Sequence, residues 1–243
     1  MAQKSAYFTI FPYGYIIIIQ TVNNKLNFIR RLLIMKIAVV CANGKEGKLI
    51  VKEAIERGLD VTAIVRGENH SDTEKVIHKD LFALTASDLE NFDVVIDAFG
   101  AWTPETLPQH STSLKHLCDI ISGKETRLLI VGGAGSLYVN SEHTEQVMDG
   151  ADFPDVFKPL AENMGKALEE LRTRNDVKWT YISPAGDFQA DGERTGKYIL
   201  GGEELTLNAK GESIISYADY AIAMVDEAVN GNHVQQRISV VRE

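Results

Sequence analysis

From residue 36 onward, short apolar runs alternate with amphipathic segments. Residues 36–41 (KIAVVC) form a nearly continuous apolar run, which is typical of a strand buried on both faces of a parallel sheet. Residues 45–58 carry apolar side chains at helical spacing and end at Gly58, a residue type that commonly terminates helices. The same alternation predicts further strands at 61–65, 76–77, 94–96, 127–131, 179–182 and 238–241, and helices at 104–121, 158–173 and 217–229.

The repeated order of strand and helix predicts an α/β fold with a doubly wound parallel sheet. Later in the chain the pattern changes, because residues 187–202 are rich in glycine and polar side chains and are expected to be irregular. Short strands are expected at 205–207 and 213–215, and Ser216 with Asp219 has the spacing of a capping box that would open the last helix. We interpret this part as a small substrate-side elaboration at the C-terminal end of one domain.

Residues 1–34 differ in character from the rest of the chain. Their apolar stretch at 6–19 (AYFTIFPYGYIIII) contains a proline and a glycine and is shorter than the roughly 20 residues that a membrane-spanning helix needs. Two interpretations stay open: an extension upstream of the domain, or a membrane-associating or targeting segment. Because Met35 opens the regular pattern, we expect the folded domain to cover residues 35–243, without a stable membrane span.

Composition narrows the choice of partners and compartment. The chain of 243 residues has a formal net charge of −9 and no run rich in lysine or arginine, so a nucleic-acid partner is disfavoured. Its two cysteines, Cys41 and Cys118, form no disulfide framework, which favours a reducing cytoplasm. The histidines show no spacing typical of metal ligands, so no metal site is expected. We expect a small-molecule substrate, and a monomer or a small homo-oligomer.

A glycine-containing turn follows the first predicted strand in residues 41–47 (CANGKEG). Gly44 and Gly47 would let the backbone approach a pyrophosphate and let the next helix pack closely on the sheet. The N–H groups at the start of that helix would face the phosphates. A complete dinucleotide fingerprint would also have glycine at position 41, where this chain has Cys41. The motif therefore predicts a dinucleotide site, and a plain strand-to-helix turn is the alternative.

The end of the second predicted strand bears on which dinucleotide is preferred. An acidic residue at that place would bind the ribose 2′-hydroxyl of NAD, whereas this chain has Arg66. A guanidinium group is suited to a 2′-phosphate, so the sequence favours NADP(H) over NAD(H). The alternative is that Arg66 is simply a solvated residue at the end of a strand.

The whole run from Met35 to Glu243 resembles the atypical short-chain dehydrogenase/reductase superfamily, in the NmrA-like branch that includes NADH–flavin reductases. The resemblance lies in MKIAVVCANGKEGKLIVKEAIERG at 35–58, VTAIVRG at 61–67, DVVIDAFGAW at 93–102, LLIVGGAGSLYV at 128–139, WTYISPAGDF at 179–188, GERTGKY at 192–198 and SYADYAIAMVDE at 216–227. It implies a Rossmann-like fold that binds NAD(P). Residues 1–34 have no counterpart in it.

The resemblance also implies where the cofactor would lie. The turn at Asn43, Gly44, Lys45, Glu46 and Gly47 would hold the pyrophosphate, and Arg66 the adenosine phosphate. The remaining predicted contacts come in order along the dinucleotide, from the adenine through the ribose to the nicotinamide: Asp80 and Leu81, then Ala98, Phe99 and Gly100, then Pro184 and Ala185.

Typical enzymes of this superfamily reduce a carbonyl with a serine, a tyrosine and a lysine four residues after the tyrosine. Here Ser136 could match the serine, but the tyrosine has no counterpart, since its region reads DVFK at 155–158 and no Tyr-x-x-x-Lys occurs. Tyr138 is followed four positions later by Glu142. Conventional carbonyl reduction is therefore disfavoured.

Reduction of a flavin needs no such acid, because an oxidised isoalloxazine accepts a hydride directly and solvent can supply the proton. FMN, FAD or riboflavin would then be the substrate, and aromatic residues near the reactive end of the cofactor are candidates for contacting its ring: Phe99, Trp102, Tyr138, Phe153 and Phe188. Two function classes stay open: an NAD(P)H-dependent oxidoreductase acting on a flavin or a similar direct acceptor, and a non-catalytic redox sensor that binds NADP(H).

Overall fold

The computed structural model describes residues 35–243, and the extension expected over residues 1–34 lies outside the described residues. The strands are β1 (Lys36–Val40), β2 (Asp60–Val65), β3 (Val76–His78), β4 (Val94–Asp97), β5 (Arg127–Val131), β6 (Lys178–Ser183), β7 (Asp187–Gln189), β8 (Tyr198–Gly201), β9 (Ile214–Ser216) and β10 (Gln236–Arg242). The α-helices are α1 (Lys45–Glu56), α2 (Ala86–Leu89), α3 (Gln109–Ile121), α4 (Lys158–Arg172) and α5 (Tyr217–Asn230).

The main sheet has the strand order β3-β2-β1-β4-β5-β6-β10-β8. Neighbouring strands run parallel from β3 to β10, and β8 pairs antiparallel with β10 at the edge. From β1 the chain moves outward through β2 and β3, then crosses to β4 on the other side of β1. The carboxyl ends of β1 and β4 therefore flank a topological switch point, where ligands of such sheets bind. The predicted fold class, a doubly wound parallel sheet, is confirmed.

Helices cover both faces of this sheet, which explains the unbroken apolar character of its strands. In β1, Ile37 and Val39 face the layer that contains α1 and α5, whereas Ala38 and Val40 face the layer that contains α2, α3 and α4. Between residues 35 and 243, no helix combines the length and the hydropathy that a membrane span requires.

Two sequence predictions about boundaries are wrong for identifiable reasons. Helix α3 begins at Gln109 rather than at residue 104, because Thr103 and Thr106 close a hydrogen-bonded turn before it. The stretch at 187–202 is not irregular throughout, since β7 and β8 lie within it. Both strands owe their structure to distant partners, β9 and β10 respectively, which local sequence does not reveal.

The region from β7 to α5 shows how the C-terminal elaboration is attached. The strand expected at 213–215 is β9, but the one expected at 205–207 is absent from the described structure, where Leu205 N donates to the carbonyl of Tyr138 at 2.8 Å. Ser216 caps α5 by accepting from Asp219 N at 3.0 Å. The Asp219 carboxylate does not complete the capping box; it accepts from the backbone of the β7–β8 connection instead. That connection is thereby fixed to α5.

Candidate dinucleotide site

The turn between β1 and α1 is built around close backbone approach. Cys41 has a φ of 58°, in the left-handed region that favours glycine, which is why a glycine is usual at this place. Gly44 N donates to Cys41 O at 2.9 Å and closes the turn. A Cβ atom on Gly47 would lie 2.7 Å from Cys41 O and 3.0 Å from Ala42 Cα. Glycine at 47 is therefore required for α1 to start directly against the end of β1.

The N-terminus of α1 is open to an anion. Gly44 is the N-cap residue, and no side chain accepts from the first-turn N–H groups. Helix termini leave such donors without intrahelical partners, and the helix dipole favours negative charge beside them. Gly44 and Lys45 are exposed at this end. The backbone thus presents donors to solvent at the switch point, as a pyrophosphate site requires.

Glu46 lies in this first turn, yet its carboxyl group is buried. Both carboxyl oxygens lack a hydrogen-bond partner among the described residues, and burial raises the pKa of Glu46 well above its usual value. Burial chiefly, and the nearby Glu46 carboxyl group secondarily, raise the pKa values of Tyr217 and Tyr220 on α5. A neutral Glu46 does not repel a phosphate, so its presence is compatible with a pyrophosphate in the turn.

Arg66 follows β2 at the same edge of the sheet. Its side chain is 82% exposed, and its Nε lies 3.8 Å from Oδ2 of Asp80, a weak surface pair that leaves most guanidinium donors free. Asp80 also accepts from Phe82 N at 2.9 Å, which starts a 3₁₀ turn, and Leu81 is buried beneath it. The structure therefore brings Arg66, Asp80 and Leu81 together on the β2–β3 side of the glycine turn.

The segment after β4, residues 98–102, lies beside the glycine turn and is called the ledge here. Ala98 N donates to Val40 O at 3.2 Å, so the pairing of β4 with β1 continues to the point where the turn begins. Phe99 is half-buried and Gly100 is exposed, which leaves the backbone of the ledge accessible. These residues border the switch point at the carboxyl ends of β1 and β4.

Asp97, at the end of β4, is a site residue that the sequence analysis missed. Its carboxylate is buried and accepts from Phe99 N at 3.0 Å, and burial raises its pKa to about 6. It borders a small cavity that His110 and Tyr181 also line. The run VVID carried one signal, an acidic residue closing an apolar strand. Asp97 thus stabilises the ledge through its hydrogen bond to the Phe99 backbone, and its raised pKa is close to neutral pH.

Trp102 lies at the end of the ledge with 70% of its surface exposed. Its indole Nε1 is 3.4 Å from the place where a Cβ atom on Gly100 would be, so the ring folds back over that glycine. In the same half of the sheet, Pro184 and Ala185 are buried at the end of β6. An exposed aromatic surface therefore occurs at the carboxyl edge, beside the half of the sheet formed by β4, β5 and β6.

Ser136, the candidate catalytic serine, is buried and already hydrogen-bonded. Its Oγ accepts from Arg237 at 3.2 Å, and its carbonyl accepts from the same guanidinium at 2.8 Å. Arg237 also donates to Ser183 Oγ at 2.9 Å, and its side chain is 1% exposed. Arg237, which no local sequence pattern indicated, thus joins the ends of β5 and β6.

Tyr138 lacks the surroundings of the usual tyrosine proton donor. Its ring stacks on His143, with centroids 4.4 Å apart and an interplanar angle of 6°, and His143 contacts Glu204 at 3.2 Å. No lysine joins this group, and the segment expected to hold the usual tyrosine presents exposed Val156 and Phe157 instead. Across residues 35–243, no cluster of three or more histidine, cysteine or acidic side chains could hold a metal ion.

The switch point, the glycine turn and the uncapped helix define a nucleotide-binding α/β protein of the doubly wound class. Residues 41–229 match the family described as NAD(P)H-binding. The chain belongs to this NAD(P)H-binding family.

Individual relatives are similar to this chain over most of its length. The uncharacterized protein YwnB of Bacillus subtilis (strain 168) is 45% identical over 212 residues, covering 86% of this chain and 99% of YwnB. A crystal structure from Streptococcus pneumoniae TIGR4, of a protein named "putative NADH-flavin reductase", is 55% identical with a TM-score of 0.84 and covers 86% of this chain and 100% of that one. A structure from Lactobacillus casei is 28% identical with a TM-score of 0.76, covering 86% and 99%.

Proposed function

We propose that this protein is an NADPH-dependent reductase that passes a hydride to a flavin or a similar direct acceptor. The observation that carries the proposal is the contrast between the two halves of the site. The cofactor half has its glycine turn, its open helix N-terminus and an exposed arginine, whereas the segment expected to hold the usual tyrosine acid reads DVFK at 155–158 and contains no tyrosine. The name of the Streptococcus pneumoniae relative supports the same acceptor class.

The cofactor half would hold the dinucleotide along the carboxyl edge. The turn from Asn43 to Gly47 and the N–H groups of α1 would bind the pyrophosphate. The ledge at Ala98–Gly100 would border the ribose, and Pro184 with Ala185 the nicotinamide. Burial keeps Glu46 neutral in the turn, so that its carboxyl group adds no charge repulsion.

Arg66 is the basis for preferring NADPH. Its free guanidinium donors can form charge-assisted hydrogen bonds to a 2′-phosphate, which contribute about 1.5–3 kcal/mol, or roughly 10- to 150-fold in affinity. The weak pair with Asp80 is readily exchanged for a phosphate, because surface ion pairs contribute about 0–1 kcal/mol. Arg66→Ala should therefore remove the preference for NADPH over NADH.

When bound, a reduced nicotinamide supplies a hydride, and an oxidised flavin accepts it with one proton from solvent. The protein's task is then to place two flat rings in contact and to leave a path for water. Trp102, exposed at the end of the ledge, offers an aromatic surface for the acceptor ring. Trp102→Ala should raise the KM for the acceptor more than it lowers kcat.

The experiment that tests the proposal mixes purified protein, NADPH and FMN and follows the loss of NADPH absorbance. Turnover that depends on protein concentration supports the reductase. Tight binding of NADPH without turnover of FMN, FAD or riboflavin would contradict it and would favour the non-catalytic redox sensor. Turnover of a carbonyl substrate that is lost in Tyr138→Phe would instead return conventional carbonyl reduction.

A further inference from the structure

The side chain of Asn43 contacts the loop after Arg66, whereas its backbone belongs to the pyrophosphate turn. Its Nδ2 donates to the carbonyl of Glu68 at 2.7 Å, and its Oδ1 accepts from His70 N at 2.8 Å. Both partners belong to the backbone that follows Arg66. The ladder between β1 and β2 ends at Val40, and the Asn43 amide continues it for a further step in the manner of a strand backbone.

The same backbone is held from its other side. His78 Nδ1 lies 3.1 Å from Gly67 O, and Asn69 fixes the far end of the loop by accepting from Ser71 N at 3.0 Å and donating to Thr73 O at 2.7 Å. The loop backbone is thus fixed by hydrogen bonds. The side chain of Arg66, by contrast, is 82% exposed and paired only weakly.

We propose that Asn43 is a positioning residue for cofactor specificity: it joins the pyrophosphate turn to the Arg66 loop and holds Arg66 where a 2′-phosphate would lie. The inference rests on the proposed preference for NADPH. A loop ordered before the ligand arrives binds more tightly, because the entropy of ordering is not lost on binding. Only a ligand that contacts Arg66 gains affinity from this order. Loss of the Asn43 contacts should therefore weaken NADPH binding more than NADH binding.

The residue type fits this role. Serine or threonine has one hydroxyl and is too short to reach both backbone groups, and aspartate cannot donate to Glu68 O. An amide supplies a donor and an acceptor side by side, which matches the carbonyl and the N–H that the loop presents.

The test compares dissociation constants for NADPH and NADH in the full chain and in Asn43→Ala, Arg66→Ala and the double variant. Asn43→Ala should weaken NADPH binding about 5- to 30-fold, the cost of ordering about one residue, and NADH binding less than about 2-fold. In the Arg66→Ala background, Asn43→Ala should cause no further loss for NADPH. His78→Ala, which releases the loop from its other side, should reproduce the selective loss.

Asn208→Ala is the matched control, because Asn208 braces a distant turn through Lys210 N and Glu212 N and should leave the NADPH/NADH ratio unchanged. Equal weakening of both dinucleotides in Asn43→Ala would overturn the inference, as would a further loss in the double variant. If Arg66→Ala alone leaves the NADPH preference intact, the proposed cofactor preference fails instead, so the two failures are distinguishable.

Discussion

Replacing Glu46 by glutamine should stabilise the protein, and the gain should grow with pH. The carboxyl group is buried with both oxygens unpartnered among the described residues, so the folded chain favours its protonated form. In the unfolded chain the same group ionises around its usual pKa of 4.5. Folding at neutral pH must therefore bind a proton, and this linkage makes stability fall as pH rises above the unfolded value. Glutamine is neutral in both states and removes the linkage.

The size of the effect follows from proton linkage. Each pH unit between the unfolded and the folded pKa costs about 1.4 kcal/mol of stability. Below the folded pKa, the advantage of Glu46→Gln should therefore grow by about 1.4 kcal/mol with each pH unit, which for a chain of this size corresponds to about 3–6 °C in Tm. Asp97 adds a dependence of the same sign, but it is present in both proteins and cancels in the difference.

The assay is thermal or urea unfolding of both proteins at pH 5.5, 6.5 and 7.5. Glu56→Gln is the matched control, because Glu56 lies on the same helix with its side chain exposed, and this change should alter the pH dependence little. A constant difference between Glu46→Gln and the parent across this pH range would refute the reasoning. It would mean that Glu46 is ionised in the folded protein and has found a partner.

Three further predictions concern other parts of the protein. Gly47→Ala should weaken NADPH binding more than 10-fold in a fluorescence titration, because the new Cβ would meet Cys41 O at 2.7 Å; Gly202→Ala, with no atom within 4 Å, is its control. Asp219→Ala should lower the free energy of unfolding by about 2–4 kcal/mol, measured with urea, since this buried carboxylate fixes the β7–β8 connection, and an unchanged midpoint would contradict this. Ser136→Ala and Tyr138→Phe should each lower kcat less than about 100-fold, whereas abolished turnover with intact NADPH binding would identify an acid.

The sequence predicted the first strand, turn and helix of the fold well because their structure depends on local interactions. The β1 strand, the glycine turn and α1 are consecutive, and their periodicity and turn chemistry agree with the tertiary structure. The end of α1 at Glu56 followed by Gly58, with a φ of 73°, is one example of such agreement. Patterns of this kind depend on neighbours along the chain, so a single sequence contains them.

Contacts between distant segments explain what the sequence did not predict. Nothing local indicates that Glu46 is buried rather than exposed in the first turn, since that depends on how α1 packs against α5. Asp219 was predicted to complete a capping box, but its carboxylate binds the loop at Thr195 instead. In each case a polar residue has two physically reasonable partners, and tertiary packing decides between them.

The two halves of the proposed site therefore differ in how they are specified. The cofactor half depends on Asn43, Gly47 and Arg66, which lie close together in the chain and bind backbone or solvent-exposed ligand groups. The acceptor half depends on Arg237, whose guanidinium fixes Ser136 across 101 positions of sequence and Ser183 across 54. Substitutions in the last strand can consequently reshape the acceptor side while the glycine turn stays unchanged. A glycine motif can thus identify the cofactor class of such a chain, whereas its acceptor must be found by assay.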